Sequence, residues 1–345
     1  MPSDGRLTAP LMVQLQDDHL RECLWKGTIG QPAANKRTLS SLILCRQKLA
    51  HSLGYKSYAH KNLSRKVLTS PEEVTAMLTR LAEKTRGQAS RQVSILADMK
   101  RKILNIGSTD PVGVYPWDIG HLIHMHGRRA TGEDGGSMNG KWKASASQEL
   151  CQYMSLDTCL AGLGVVCKEV FGIDIEEVEV GAEEHWMGKD SPVVTNGQKT
   201  IRKFLLYSAP LNGSSYRGDA LGCIYLDPFE RGYKFTGASH FTIRCGRRND
   251  HGHSTVSSED SSGHQLPVVA LLFHFPLPSS RAPPLLSLSQ LETLYHEWGH
   301  AMHSLLSRTA FQHLSGTRGS TDFVEASGIA YITIHTIPIE PIWID

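Results

Sequence analysis

Two histidines four positions apart, His296 and His300, flank a glutamate, Glu297, in the run "YHEWGHAMHSLL". On a helix, residues i and i+4 stand on one face about 6 Å apart along the axis, so both imidazoles can converge on one cation at ~2.0–2.1 Å. The glutamate, one position on, can face the same cation without binding it. This is the H-E-x-x-H arrangement, in which a metal acidifies a water and the carboxylate takes its proton during attack on a peptide carbonyl. The chain holds 17 histidines, so the short motif alone also fits a pair of hydrogen-bonded core histidines.

A catalytic zinc takes three protein ligands and keeps one position open. The H-x-x-G-x-x-H continuation is absent, because Ser304 and Leu305 follow His303. A carboxylate from a second helix is then expected. "TDFVEAS" supplies Glu325, preceded by the turn-forming stretch "SGTRGS" that can bring the chain back. His303 shares the ligand face but lies about 10 Å further along the axis than His296, too far for the same ion. It reads as a packing or supporting residue, with substrate contact as the alternative, and Asp322, one turn before Glu325, as a helix cap or a hydrogen-bonding support for the ligands.

These residues need a buried helix to carry them. Leu291, Leu294, Tyr295, Trp298, Met302, Leu305 and Leu306 recur at helical spacing, and Ser289-Gln290-Leu291-Glu292 reads as a capping box that opens the helix. Upstream, Thr38 to about Ile106 is helical in pattern, with Ser70, Pro71, Glu72 and Glu73 as a start signal. Ser108 to Asp118 reads as a connector and Gly127 to Ser147 as a glycine-rich loop. "SLDTCLAGLGVVCKEVFG" reads as a helix closed by Gly172. "LGCIYLD", "SHFTIRC" and "LPVVALLFHF" then read as strands. The polar linker before the last of these carries His251, His253 and His264, read as solvated.

Composition narrows the partners. The chain has 345 residues, 40% of them hydrophobic, with 36 Lys and Arg against 34 Asp and Glu. A net charge of +2 gives no call for nucleic acid or an anionic surface. No run of ~18 apolar residues is present, so no membrane span is expected. Seven cysteines without a C-x-x-C pair fit reduced thiols, and Cys151, Cys159 and Cys167 read as small core residues on one helix. The N-terminus shows no secretory or transit pattern.

With these residues assembled, the chain resembles the thimet oligopeptidase family of zinc metallopeptidases, most closely its intermediate-peptidase branch. The matching stretches are Tyr295 to Glu325, Leu221 to Arg248 ("LGCIYLDPFERGYKFTGASHFTIRCGRR"), Leu266 to Pro276 and, less strongly, Arg46 to His60. The resemblance implies a mainly helical, neurolysin-like channel fold with a small β-sheet next to the metal helix. It implies one Zn²⁺ per chain on His296, His300 and Glu325, with Glu297 as general base. It implies short or unfolded peptides as substrates and, for that branch, removal of an octapeptide from imported precursors in the mitochondrial matrix.

On this reading residues 1–37 are an N-terminal segment without assigned structure, 38–325 an incomplete catalytic region, and 326–345 a divergent tail. Family members continue into C-terminal helices whose histidine and tyrosines contact substrate, whereas the pattern here stops at Glu325. The tail, rich in isoleucine with Pro338 and Pro341, is poor helix material beyond about residue 330. An alternative transcript end or a gene-model error is the expected origin of this tail. A shortened non-catalytic product and a cytoplasmic oligopeptidase of the same family stand as the alternative readings, and oligomeric state is not encoded in any motif.

Overall fold

A computed structural model describes residues 5–29, 33–107, 112–130, 151–186, 194–195, 198–209, 218–249, 263–278 and 284–336. The chain divides into two units, Met1–Ala146 and Ser147–Asp345. The fold is mainly α-helical with a small mixed sheet.

Among the described residues, the regular structure of the first unit is helical: α1 (Gly5–Gln14), α2 (Asp18–Ile29), α3 (Ala33–Ser52), α4 (Tyr58–Leu63), α5 (Pro71–Leu104) and α6 (Pro116–Ala130). The expected start of α5 is realised in full. Ser70 Oγ accepts from the Glu73 N–H at 3.2 Å, and Glu73 Oε2 accepts from the Ser70 N–H at 3.3 Å, so two orphan donors are satisfied reciprocally. Ionic contacts join α2, α5 and α6. The Asp118 carboxylate is wholly buried and accepts from Arg21 Nη2 at 3.0 Å, Lys100 Nζ at 2.7 Å and the Tyr115 N–H at 2.9 Å.

Two expectations for this unit change. Residues 1–37, left without structure by the sequence, contain α1, α2 and the start of α3. The connector ends three residues earlier than its sequence suggests, because Pro116, with its fixed φ, opens α6. The expected glycine-rich loop falls largely on residues 131–147, outside the described residues.

The second unit begins with α7 (Leu156–Phe171), the helix expected to end at Gly172. Ser155 Oγ accepts from the Thr158 N–H, and Gly172 closes the helix at φ 62°, a left-handed conformation that favours glycine. Leu156, Cys159, Leu160, Leu163 and Cys167 are its buried stripe. Two of the three cysteines read as core are thus buried, and Cys151 is half-buried. All seven cysteines are free thiols.

The chain then enters β1 (Ile173–Val178), followed by β2 (Val194–Thr195), β3 (Gln198–Lys199), β4 (Arg202–Ser208), β5 (Ala220–Phe229), β6 (Ser239–Arg244), β7 (Arg247–Arg248), β8 (His264–Gln265) and β9 (Val268–Phe275). Five strands form one sheet in the order β1-β4-β5-β9-β6. Only β5 and β9 run parallel, since β6 lies beyond β9 and returns the chain to the middle. Two antiparallel two-stranded sheets, β2–β3 and β7–β8, stand apart. β5, β6 and β9 match the three expected strands within a few residues, while β1 and β4 were not expected. His264, read as solvated, is buried in β8, where it pairs with Arg248. His251 and His253 lie outside the described residues.

Helix α8 (Leu288–Leu305) packs on β5, β6 and β9, and α9 (Thr321–Thr336) packs along α8. The capping box that opens α8 is Ser287–Gln290 and not the expected Ser289–Glu292: Ser287 Oγ accepts from the Gln290 N–H, and Gln290 Oε1 accepts from the Ser287 N–H at 2.8 Å. The earlier cap lets Leu286 and Leu291, 1% and 3% exposed, flank the first turn as a hydrophobic staple. A cap at Ser289 would put exposed Leu288 in that role. α9 also runs beyond the expected limit near residue 330, to Thr336. Its isoleucines each cost only a few tenths of a kcal/mol of helix propensity, and Pro338 lies past its end.

Candidate metal centre

Three faces of α8 point to three different partners. Leu291, Leu294, Trp298 and Leu305 face the core. Trp298 is 1% exposed, meets Phe204 of β4 edge-on at a centroid distance of 6.1 Å, and donates its indole N–H to Cys167 Sγ at 3.4 Å. A ring so placed fixes the rotation of α8 about its axis. That rotation sends His296 and His300 toward α9 and Glu297 toward β6.

On the α9 side, His296 Nε2 and His300 Nε2 lie 3.1 Å apart. Glu325 Oε2 lies 3.3 Å from the first and 3.4 Å from the second. The three residues drawn together are the three named from the sequence. Their donor atoms form a nearly equilateral triangle. Tetrahedral coordination with bonds of ~2.0–2.1 Å requires donor separations of about 3.4 Å. The observed edges therefore suit a small cation bound by two imidazoles and one carboxylate, the borderline-soft set that zinc prefers.

The environment favours a neutral His300 ring. Burial, and then the neighbouring His296, hold His300 below the usual imidazole range against the pull of Glu325. Glu325 is more open, with 42% of its side chain exposed against 11% for His300, so the triangle is closed on the α8 side and wetter on the α9 side. An open side is what a catalytic rather than a structural site requires.

Glu297 does not join the triangle. Burial raises its carboxyl above the ordinary carboxylate range, opposed by His296 and by the main-chain N–H of His240, which donates to it; Glu325 adds to the rise. A raised carboxyl suits a general base, whose pKa works best near the operating pH. His240 was not singled out from the sequence. It sits on edge strand β6 with its Nε2 3.1 Å from Ser304 Oγ and its ring 6.3 Å from that of His300. Burial, and then His300 and His303, push it down to about 4, so it is a neutral imidazole beside the site. Its strand, Ser-His-Phe-Thr-Ile-Arg, mixes polar and apolar residues, so nothing in the local sequence marks the histidine out.

The remaining candidates lie at the margins. His303 is partly buried and its ring meets Phe323 edge-on at 5.8 Å, with Nδ1 shielded from solvent and without a hydrogen-bond partner. Asp322 is exposed in the first turn of α9, where its charge favours the helix start. Ser320 stands before that turn, its carbonyl accepting from the Phe323 and Val324 N–H groups.

A helix-borne pair of histidines, a carboxylate from the following helix and a half-buried glutamate between the histidines define a zinc-peptidase-like centre. The sequence model of Peptidase family M3 matches residues 11–334, and the chain belongs to that family. The match extends past Glu325 through nine further residues of α9. Among curated proteins, the chain is 30% identical over 319 residues to mitochondrial intermediate peptidase of Homo sapiens, covering 92% of this chain and 39% of that protein. It is 29% identical over 339 residues to the protein of that name from Eremothecium gossypii, covering 95% and 40%. The Saccharomyces cerevisiae protein gives 30% over 343 residues, covering 95% and 41%. The chain thus spans about two fifths of the length of the curated relatives it matches. Among the described residues no helix is long and apolar enough to cross a membrane.

Proposed function

We propose that this chain carries the catalytic centre of a zinc metalloendopeptidase that cleaves short or unfolded peptides. The observation that supports this most directly is the donor triangle of His296, His300 and Glu325, with edges of 3.1, 3.3 and 3.4 Å. His296 Nε2, His300 Nε2 and Glu325 Oε2 would hold the ion. When bound there, zinc supplies Lewis acidity, polarising the scissile carbonyl and lowering the pKa of a water. Glu297 takes the proton of the attacking water and passes it to the departing amine. The His240 N–H orients that carboxylate, and Trp298 holds the helix that presents it. The relatives carry the name mitochondrial intermediate peptidase. We accordingly assign the finer task of trimming imported precursors in the mitochondrial matrix, by removal of a short N-terminal peptide.

The test is zinc content and cleavage of a quenched fluorescent octapeptide by the 345-residue chain, with and without a chelator. Glu297→Gln should retain one zinc per chain and lose hydrolysis by at least the ~10²–10⁴-fold that general base catalysis contributes. Undiminished cleavage by that variant would remove Glu297 from the mechanism. Zinc retained one-to-one by His296→Ala would remove the ligand set.

A further inference from the structure

Helix α9 approaches α8 closely because both helices present bare backbone where they meet. A methyl group on Gly299 would lie 2.6 Å from the Ser327 carbonyl oxygen and 2.9 Å from Gly328 Cα. A methyl group on Gly328 would lie 2.5 Å from both Cε1 and Nδ1 of His296, and 3.0 Å from Cγ. Gly299 sits between the two histidine ligands, and Gly328 follows Glu325 by three positions, on the same face of α9. The His296 ring is therefore contacted twice by one helix. Its Nε2 meets the Glu325 carboxylate at 3.3 Å, and its Cγ–Nδ1–Cε1 side lies against the main chain at Gly328.

We propose that Gly328 is a positioning residue of the metal centre: its lack of a side chain sets the plane of the His296 imidazole and thereby the shape of the donor triangle. This rests on the reading of His296, His300 and Glu325 as metal ligands. To reach ordinary contact at 3.4 Å, a methyl at position 328 must push the ring or the helix by about 0.9 Å. Metal sites hold their donors to about ±0.2 Å, so a shift of that size misaligns one of the three ligands. The helices cannot absorb it by sliding, because the Gly299 contact already brings Ser327 and Gly328 main chain against α8. A general helix-packing role for Gly328 predicts something different, namely a fault that persists whatever stands at position 296. The three nearest atoms to the added methyl all belong to His296, so the fault should depend on that ring.

The test uses the full chain in four forms: parent, Gly328→Ala, His296→Ala and the double variant. Zinc affinity is measured by competition with a chromogenic chelator, and thermal midpoints are recorded without metal. Gly328→Ala should bind zinc about 10–100-fold more weakly than the parent, the range found when groups that orient metal ligands are altered. Any fall in its metal-free midpoint should vanish when His296→Ala supplies the background, as a coupled pair requires. Zinc affinity within twofold of the parent, or a midpoint fall undiminished in the His296→Ala background, would overturn the proposal. A parent chain that fails to bind one zinc overturns the ligand reading as well, whereas equal binding by parent and Gly328→Ala overturns only the role of Gly328.

Discussion

Zinc should act on the second unit as a stabilising ligand, and the size of the effect follows from linkage. A ligand that binds only the folded form stabilises it by about 2.7 kcal/mol at a free concentration of 100 Kd and by about 4.1 kcal/mol at 1,000 Kd. The donors all lie in the unit Ser147–Asp345. For a unit of that size each kcal/mol moves the thermal midpoint by about 2–4 °C. Free zinc at 100 Kd should therefore raise the midpoint of that unit by roughly 5–11 °C over the chelated chain. Differential scanning calorimetry across a zinc series at neutral pH reads this directly. His300→Ala removes the more buried histidine donor and should flatten the zinc response, because a single imidazole and a carboxylate cannot complete the triangle. Glu325→Gln keeps the shape of the third ligand but removes its charge, so its response should be reduced. A midpoint that does not move across the zinc series would refute the ligand reading. So would a His300→Ala chain that responds as strongly as the parent.

Two other perturbations probe what holds each unit together. Asp118→Asn should cost about 1.5–3 kcal/mol in urea denaturation, since it removes the more buried of the two carboxylates that Arg21 and Lys100 share and leaves them Asp18 alone. Burial works to raise the Asp118 carboxyl, but Lys100, the Tyr115 N–H, Asp18 and Arg21 together hold it below the ordinary range. Its folded pKa is thus below the unfolded value of about 3.9. The stability it contributes is complete above that value and is lost as pH falls through the folded pKa. The parent should show this acid-side loss, and the Asn variant should lack it. Trp298→Ala should cost about 3–5 kcal/mol by leaving a cavity between α8, β4 and α7. A loss below 1 kcal/mol, on the order of a surface substitution, would show that Trp298 does not fix the rotation of α8.

The donor set was legible in the sequence because each part is local or chemically demanded. The i, i+4 spacing of His296 and His300 is a helix-face signal, and the need for a third, anionic donor pointed downstream to Glu325. The start of α8 was legible only to within two residues. Ser287-x-x-Gln290 and Ser289-x-x-Glu292 both satisfy the capping pattern, and burial of Leu286 decides between them. Strands β1 and β4 escaped notice for an electrostatic reason. β1, "IDIEEV", looks too acidic for a strand until Glu177 is seen accepting from Arg202 of β4, with Lys199 as a further partner. Those pairs are formed between strands and leave no trace within either one. His264 was misread because composition marks a polar linker, whereas a two-residue pairing with β7 is enough to bury one side chain of it.

What the sequence withheld about the site is the surroundings of α8, and that follows from how one helix divides its faces. Positions 296, 300 and 303 share a stripe that meets α9, whose Glu325, Gly328 and Phe323 lie within 32 residues of His296. Positions 297 and 304, seven apart, share a second stripe that meets His240 on β6, more than 50 residues upstream. Position 298 meets Phe204 and Cys167, further upstream still. Helical periodicity reveals that three stripes exist but not what each of them touches. The ligand stripe was readable because its partner is the next helix in the chain. The base stripe was not, because the residue that orients Glu297 acts through a main-chain N–H, which every residue but proline carries and no motif can single out. A side-chain change at position 240 should accordingly leave the N–H contact to Glu297 in place while breaking the one to Ser304. The orientation of the base depends on β6 keeping its register on β9, where His240 stands opposite Leu271.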